Sequence, residues 1–189
     1  MSRKGLSTDI IIKAAAEIIS VKGFDKFSLR ELADKLGVKA ASLYNHINNL
    51  SELTSDIGRL TLRKMSEQLY EGLEGKSPQD MLTHIAIGYR KFAKENPELY
   101  KTIIKIPATG NLELLEEGQN IVHKMYQILR SYGLLEGEIV QFSRSIRSSM
   151  HGFITLEEAG FFRDEIDIDE SYSKMIQSYI TLLELKKIK

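Results

Sequence analysis

The sequence predicts an all-α protein of about nine helices, and three observations carry that prediction. Apolar residues recur at three- and four-residue spacing along most of the 189-residue chain, the spacing that gathers them on one helical face. No stretch alternates apolar with polar residues as a half-buried strand does, and no segment repeats another. The chain has three prolines, Pro78, Pro97 and Pro107, each placed to start or break a helix rather than to interrupt one.

Taken in order, a short arm, Met1 to Ser7, carries Arg3 and Lys4. The first helix spans about Thr8 to Lys22, with Ile11, Ala15, Ile18 and Ile19 along one side and Gly23 as its stop. Ser28 opens the second as half of a capping box with Glu31, the hydroxyl accepting a backbone N–H and the carboxylate reaching back. Leu29, Leu32, Ala33 and Leu36 form its core stripe, and Gly37 ends it because glycine enters the left-handed region without penalty. The third helix runs from about Lys39 to Ile47. At ~100° per residue, Ala40, Leu43 and Ile47 point inward, while Ala41, Ser42 and Asn45 point out. Lys39, Tyr44 and His46 lie on the flanks.

The fourth helix covers about Asn49 to Leu73, with Gly58 inside it and Gly72 and Gly75 marking its end. The fifth covers Pro78 to Glu95, with Met81, Ile85, Tyr89 and Phe92 on one side, and the sixth Pro97 to Ile106. After a break at Pro107 to Gly110 come helices over about Glu113 to Tyr132, Glu136 to Glu158 and Glu170 to Leu185. A domain boundary is expected between residues 48 and 49, giving an N-terminal three-helix domain, 1–48, and a helical C-terminal domain, 49–189.

The composition, 42% hydrophobic and 28% charged, is that of a globular chain. The absence of cysteine removes disulfides and thiolate chemistry. No apolar run approaches the ~20 residues of a membrane helix, and the first residues lack a signal-peptide core, so no membrane partner and a cytoplasmic location are expected. Cations and acids balance at 26 each, but the first 50 residues hold eight Lys or Arg against five Asp or Glu. A mildly basic head on a neutral whole suits a specific nucleic-acid binder better than a coating protein.

Helix, glycine turn and short helix over residues 27–53 form the pattern of a helix-turn-helix, whose second helix enters the DNA major groove. The stretch Ile11 to Leu53 resembles the N-terminal domain of the TetR/AcrR family of transcriptional regulators, through Gly37, Val38, Leu43, Tyr44 and His46. Leu50 stands where many members carry a lysine at the start of the fourth helix. Further on, Arg144 to Phe162 resembles the C-terminal domain of a subgroup known for a Trp-His-Gly triplet, here Met150-His151-Gly152.

The resemblance implies a ligand-responsive regulator, most often a repressor, with double-stranded DNA, a small-molecule effector and a second copy of itself as partners. A palindromic operator follows from twofold symmetry. Tyr44 and His46 would hold phosphates, helped by Ser28 at its helix start, and Arg3 and Lys4 would add an arm contact. Lys39 suits guanine acceptors, Asn45 an adenine edge and Ala41 a thymine methyl, with Ser42 beside them.

An effector cavity is implied among the fourth to eighth helices, where Tyr89, Phe92, Tyr100, His123 and Tyr126 interleave with apolar residues. A largely apolar effector with one or two polar groups is expected, meeting Tyr89, Tyr100 or His123. The last two helices carry the stripes expected to face a partner in a homodimer: Met150 and Phe153 on one, Tyr172, Ile176, Tyr179 and Leu183 on the other. Gly152 would admit a neighbouring helix closely.

No catalytic constellation, glycine-rich phosphate loop or metal-spaced histidine pair is evident, and no cofactor or metal is expected. Glu116, Asn120 and His123 share a helix face that reads as solvated. The rival readings are an effector-independent or architectural DNA-binding protein and, with less behind it, an enzyme on a helical scaffold.

Overall fold

The computed structural model describes residues 5–105 and 111–187. Arg3, Lys4, Ile106, Pro107 and Gly110 lie outside the described residues. Nine α-helices are present among the described residues: α1 (Thr8–Lys22), α2 (Leu29–Leu36), α3 (Ala40–Leu43), α4 (Leu50–Tyr70), α5 (Pro78–Glu95), α6 (Pro97–Lys105), α7 (Leu112–Arg130), α8 (Glu136–Glu158) and α9 (Ile168–Lys187). A 3-10 turn over Phe24–Lys26, unforeseen in the sequence, links α1 to α2.

The chain divides into two compact units, Met1–Met65 with Lys94–Gly118 and Ser66–Ala93 with Gln119–Lys189. The division cuts α4 after Met65, whereas the sequence placed the domain boundary before Asn49. In the first unit α1 packs on α2 and α6. Ile11, Ala15, Ile19, Leu32, Leu43, Leu53 and Ile57 are nearly inaccessible there, and Leu99 joins them from α6. Removing such side chains from water, at about 25 cal/mol per Å² of apolar surface, is what holds this small head together.

Gly23, at φ 81, closes α1 with its N–H on the Ile19 carbonyl, and a Cβ there would meet Glu98 Oε2 at 2.6 Å. Arg59 of α4 pairs with Glu113 at 3.0 Å, and Asn111 Nδ2 donates to Ser55 Oγ at 2.8 Å, tying α4 to the start of α7. Burial raises the Asp56 carboxyl above its usual range, against the opposing pull of Arg59.

In the second unit α5, α8 and α9 share a core that includes Ile85, Phe92, Ile146, Met150, Tyr172, Ile176 and Leu183. Inside it Arg90 makes a two-pronged bond to Glu157, at 2.8 and 2.6 Å, and a third to Asp169 at 2.8 Å. The bond to Glu157, more than any other influence, raises the Arg90 pKa. The guanidinium also lies over the rings of Phe153 and Tyr172, and the Tyr172 hydroxyl donates to the Ala86 carbonyl at 2.8 Å.

Several ends differ from the sequence reading. The third helix is a single α-turn. Asn45 and His46 donate to the carbonyls of Ser42 and Leu43 in a tighter turn, at 3.4 and 2.9 Å. The Tyr44-Asn45-His46 run favours that turn because none of the three is a strong helix former. α4 stops at Tyr70 rather than Leu73 because Gly72 takes φ 71. α7 begins at Leu112, with Asn111 Oδ1 accepting the Leu114 N–H, and ends at Arg130 in a 3-10 turn through Tyr132. Asp167 caps α9 by accepting the Glu170 N–H at 2.9 Å, moving its start to Ile168.

Candidate nucleic-acid interface

The interface is built from the two ends of α2 and the turn that carries α3. Ser28 is the N-cap of α2, its Oγ accepting the Glu31 N–H at 3.2 Å. Only this half of the expected capping box forms, because the Glu31 carboxylate pairs with Lys22 of α1 instead. At the other end Gly37 sits in the left-handed region, φ 66 and ψ 32. Its N–H meets the Asp34 carbonyl and the Val38 N–H meets that of Ala33, so two end carbonyls are satisfied. α3 is fastened from below by Leu43, fully buried, and Ile47. It is fastened from the side by Thr8, whose hydroxyl donates to the His46 carbonyl at 3.1 Å.

This anchoring leaves a polar surface uncovered. Lys39, Ala41, Tyr44 and Asn45 are exposed, and Ser42 and His46 are half-buried. Ala40, expected to face inward, is exposed too, because the first residue of so short a helix projects beyond the core that Leu43 enters. Tyr44 exposes 55% of its surface, a large aromatic that packing does not claim. Leu50, 46% exposed, opens α4 just behind it.

The cations of the head sort into two sets. Lys22 pairs with Glu31, Lys35 with Glu17 and Lys101 with Glu98. Lys13, Lys26, Arg30 and Lys39 have no ion pair among the described residues. Sequence reasoning passed over Thr8, Lys26 and Arg30. The last two bracket Ser28 at two residues on either side, a spacing visible beforehand. A packed head that holds a short polar helix at both ends and leaves Lys13, Lys26, Arg30 and Lys39 unneutralised has the architecture of a helix-turn-helix DNA-binding unit.

The remaining predicted residues are distributed differently from expectation. Tyr100 belongs to the first unit, and Tyr89, Phe92, His123 and Tyr126 to the second. Phe92 and Tyr100 are core residues, 1% and 3% exposed. His123 and Tyr126 form a tilted ring pair on α7, centroids 5.6 Å apart. Among the described residues are two open clefts. One, about 580 Å³, is lined in the first unit by polar residues of α4 and α7 that include Ser55, Asp56, Arg59 and Glu113. The other, about 530 Å³, is lined in the second unit by residues from Tyr70 to Met81 and from Lys124 to Ser131.

Of the set expected to face a partner, Met150, Tyr172, Ile176 and Leu183 are between 0% and 5% exposed, buried already within the single chain. Phe153 packs between Phe162 and Tyr172, and the Tyr179 hydroxyl bonds Ser149 at 2.7 Å. The apolar side chains that α8 and α9 leave uncovered are instead Leu156, Leu182 and Leu185. A Cβ on Gly152 would meet nothing within 4 Å.

Comparisons with known proteins agree with this architecture. A family model described as bacterial regulatory proteins, tetR family, matches residues 11–49, and one described as the tetracyclin repressor-like C-terminal domain matches residues 82–179. YobS of Bacillus subtilis, an uncharacterized HTH-type transcriptional regulator, is 31% identical over 95% of this chain and 93% of its own. Among solved structures, a TetR variant of Acinetobacter baumannii in complex with minocycline superposes with a TM-score of 0.70 at 18% identity, covering 97% of this chain and 99% of that one. BioQ with its double-stranded DNA operator does so with the same score and identity, covering 96% and 99%. At that identity the two structures speak for the fold. The chain belongs to the TetR family and is a DNA-binding transcriptional regulator. Among the described residues no helix is long and apolar enough to cross a membrane.

Proposed function

We propose that this regulator is a ligand-responsive repressor, not an enzyme, which binds a palindromic operator as a homodimer and leaves it when a small molecule occupies the second unit. The observation that carries the reading is the uncovered Tyr44–Asn45 surface on a turn held by Thr8, Leu43 and Ile47. Tyr44 and His46 take phosphates, with the α2 start at Ser28 adding backbone donors. Lys39, Ala41, Ser42 and Asn45 meet base edges. Functionally, residues 1–48 read DNA and residues 49–189 bind ligand and dimerise. The operator complex of BioQ and the minocycline complex of the A. baumannii protein are the parallels for the two binding events.

Release follows from α4, an unbroken helix of 21 residues that opens beside the reading head and ends at Tyr70 in the second unit. A ligand that shifts its far end moves its near end, and half-sites fixed by DNA tolerate little change in head spacing. The ligand acts only through its differential affinity for the two states, typically about 1–3 kcal/mol, and operator DNA weakens ligand binding by the same factor. Twofold association uses the uncovered Leu156, Leu182 and Leu185 with the open surface at Gly152.

The test is footprinting of genomic fragments captured by the full chain. Two inverted half-sites about one helical turn apart are expected. A single asymmetric half-site, held at full affinity by a monomer, overturns the reading.

A further inference from the structure

The cleft of about 530 Å³ in the second unit has a composition that selects its ligand. It lies where the end of α4, the turn into α5 and the last turns of α7 converge. Its apolar lining comes from the Tyr70 ring, Leu73, Pro78, Met81 and Ile128. Two cations, Lys76 and Lys124, enter it from different elements, and no carboxylate lines it. In a chain where acids equal cations, 26 to 26, a cleft with two ammonium groups and no acid is a local imbalance rather than the average surface.

Neither lysine is neutralised among the described residues. Lys76 Nζ sits 3.0 Å from Nδ1 of His84. Lys124 Nζ donates to Ser66 Oγ at 3.1 Å and lies 5.0 Å from the centre of the Tyr70 ring. These partners orient the ammonium groups without cancelling their charge. Tyr70 is itself held in place, its hydroxyl donating to the Ile121 carbonyl at 2.7 Å. Its ring is therefore a fixed wall. The volume falls within the roughly 300–1,000 Å³ of small-molecule sites.

We propose that this cleft binds a single-chain amphipathic carboxylate, a fatty-acid-like anion. Its hydrocarbon chain lies on Leu73, Pro78, Met81, Ile128 and the Tyr70 ring, and its carboxylate bridges Lys76 and Lys124. An uncharged apolar compound would leave both ammonium groups without a counter-ion, and a polar anion without a chain would leave the apolar wall unused. The proposal deepens the effector reading and rests on it for its regulatory meaning, since the ligand would press directly on the last turn of α4. The binding event stands independently of that meaning.

The experiment titrates the full chain by calorimetry with decanoate below its micelle-forming concentration, and with decanol and acetate as the two halves of the chemistry. Decanoate is expected to bind at least tenfold more tightly than either, and more weakly as salt is raised. Lys76→Gln and Lys124→Gln, both at exposed positions and checked for retained helical circular dichroism, are each expected to weaken decanoate about tenfold and to leave decanol unchanged. Met81→Gln, which makes the apolar wall polar without adding charge, should weaken binding of both chains. Equal affinity for decanoate and decanol, or decanoate binding insensitive to all three substitutions, overturns the proposal. An operator gel shift with and without decanoate separates the two readings. Binding at the cleft with unchanged DNA affinity sinks the effector role and leaves the site. Release of operator by decanol but not by decanoate sinks the site and leaves the effector reading.

Discussion

Tyr44 exposes 55% of its surface while its neighbour Leu43 exposes none, so one peptide bond separates a side chain open to solvent from one that anchors the helix. A phenol on phosphate reads no sequence, whereas an amide paired with a base edge does. Tyr44→Ala is therefore expected to weaken all operator sequences about equally. Asn45→Ala is expected to cost about 1–3 kcal/mol and to relax one operator position. Binding both variants to a randomised operator library separates the two, and an unchanged preference for Asn45→Ala would remove it from the readers. At the start of α2 the same logic divides Ser28 from Glu31. Ser28 satisfies a helix-end N–H, so Ser28→Ala should cost about 1 kcal/mol of unfolding stability. Glu31 only joins a half-exposed pair with Lys22, so Glu31→Ala should cost less than about 1 kcal/mol. Urea unfolding of the two variants checks the order, and a larger loss at Glu31 would restore the full capping box.

Helices α4 and α5 approach closely where the latter has Gly88. A Cβ there would lie 2.9 Å from the Gln68 backbone carbonyl, the same stretch whose Gln68 Nε2 donates to the Gly88 carbonyl at 3.3 Å. Two effects compete in Gly88→Ala. Helix propensity favours alanine by about 0.5–1 kcal/mol, and overpacking against a backbone atom that cannot swing aside costs about 1–3 kcal/mol. The clash wins, so the variant should melt at a lower temperature than the parent. Because the contact is on the last turns of α4, it should also blunt any effector response. A raised melting temperature would mean the helices can part freely there.

For the whole molecule, the decisive question is which apolar faces remain after the chain has folded. Ile176 is 5% exposed and Leu182 52% exposed, both on α9. Ile176→Glu would bury an unpaired carboxylate inside the protomer, so it should unfold the chain rather than split a dimer. Leu182→Glu should leave the helical fold intact and yield a monomer by sedimentation that no longer grips a two-half-site operator. A folded Ile176→Glu monomer would return that residue to the interface.

Features that depend on one or two neighbouring residues were legible in the sequence. The left-handed stop at Gly37, the hydroxyl cap at Ser28 and the helical class all follow from local backbone chemistry and from a period of 3.6. The exposure of Tyr44 and Asn45 was legible as well, because the burial of Leu43 and Ile47 leaves those side chains no inward path. Where Glu31 sends its carboxylate depends on packing, since Lys22 and Ser28 are both local candidates and the packing of α1 on α2 selects between them. Tertiary packing alone decided that Met150, Tyr172, Ile176 and Leu183 are buried within the single chain, because periodicity defines an apolar face and carries no information about what covers it. It alone brought Lys76 and Lys124 to one cleft with Tyr70, residues from separate helices and a turn whose convergence depends on how those elements pack.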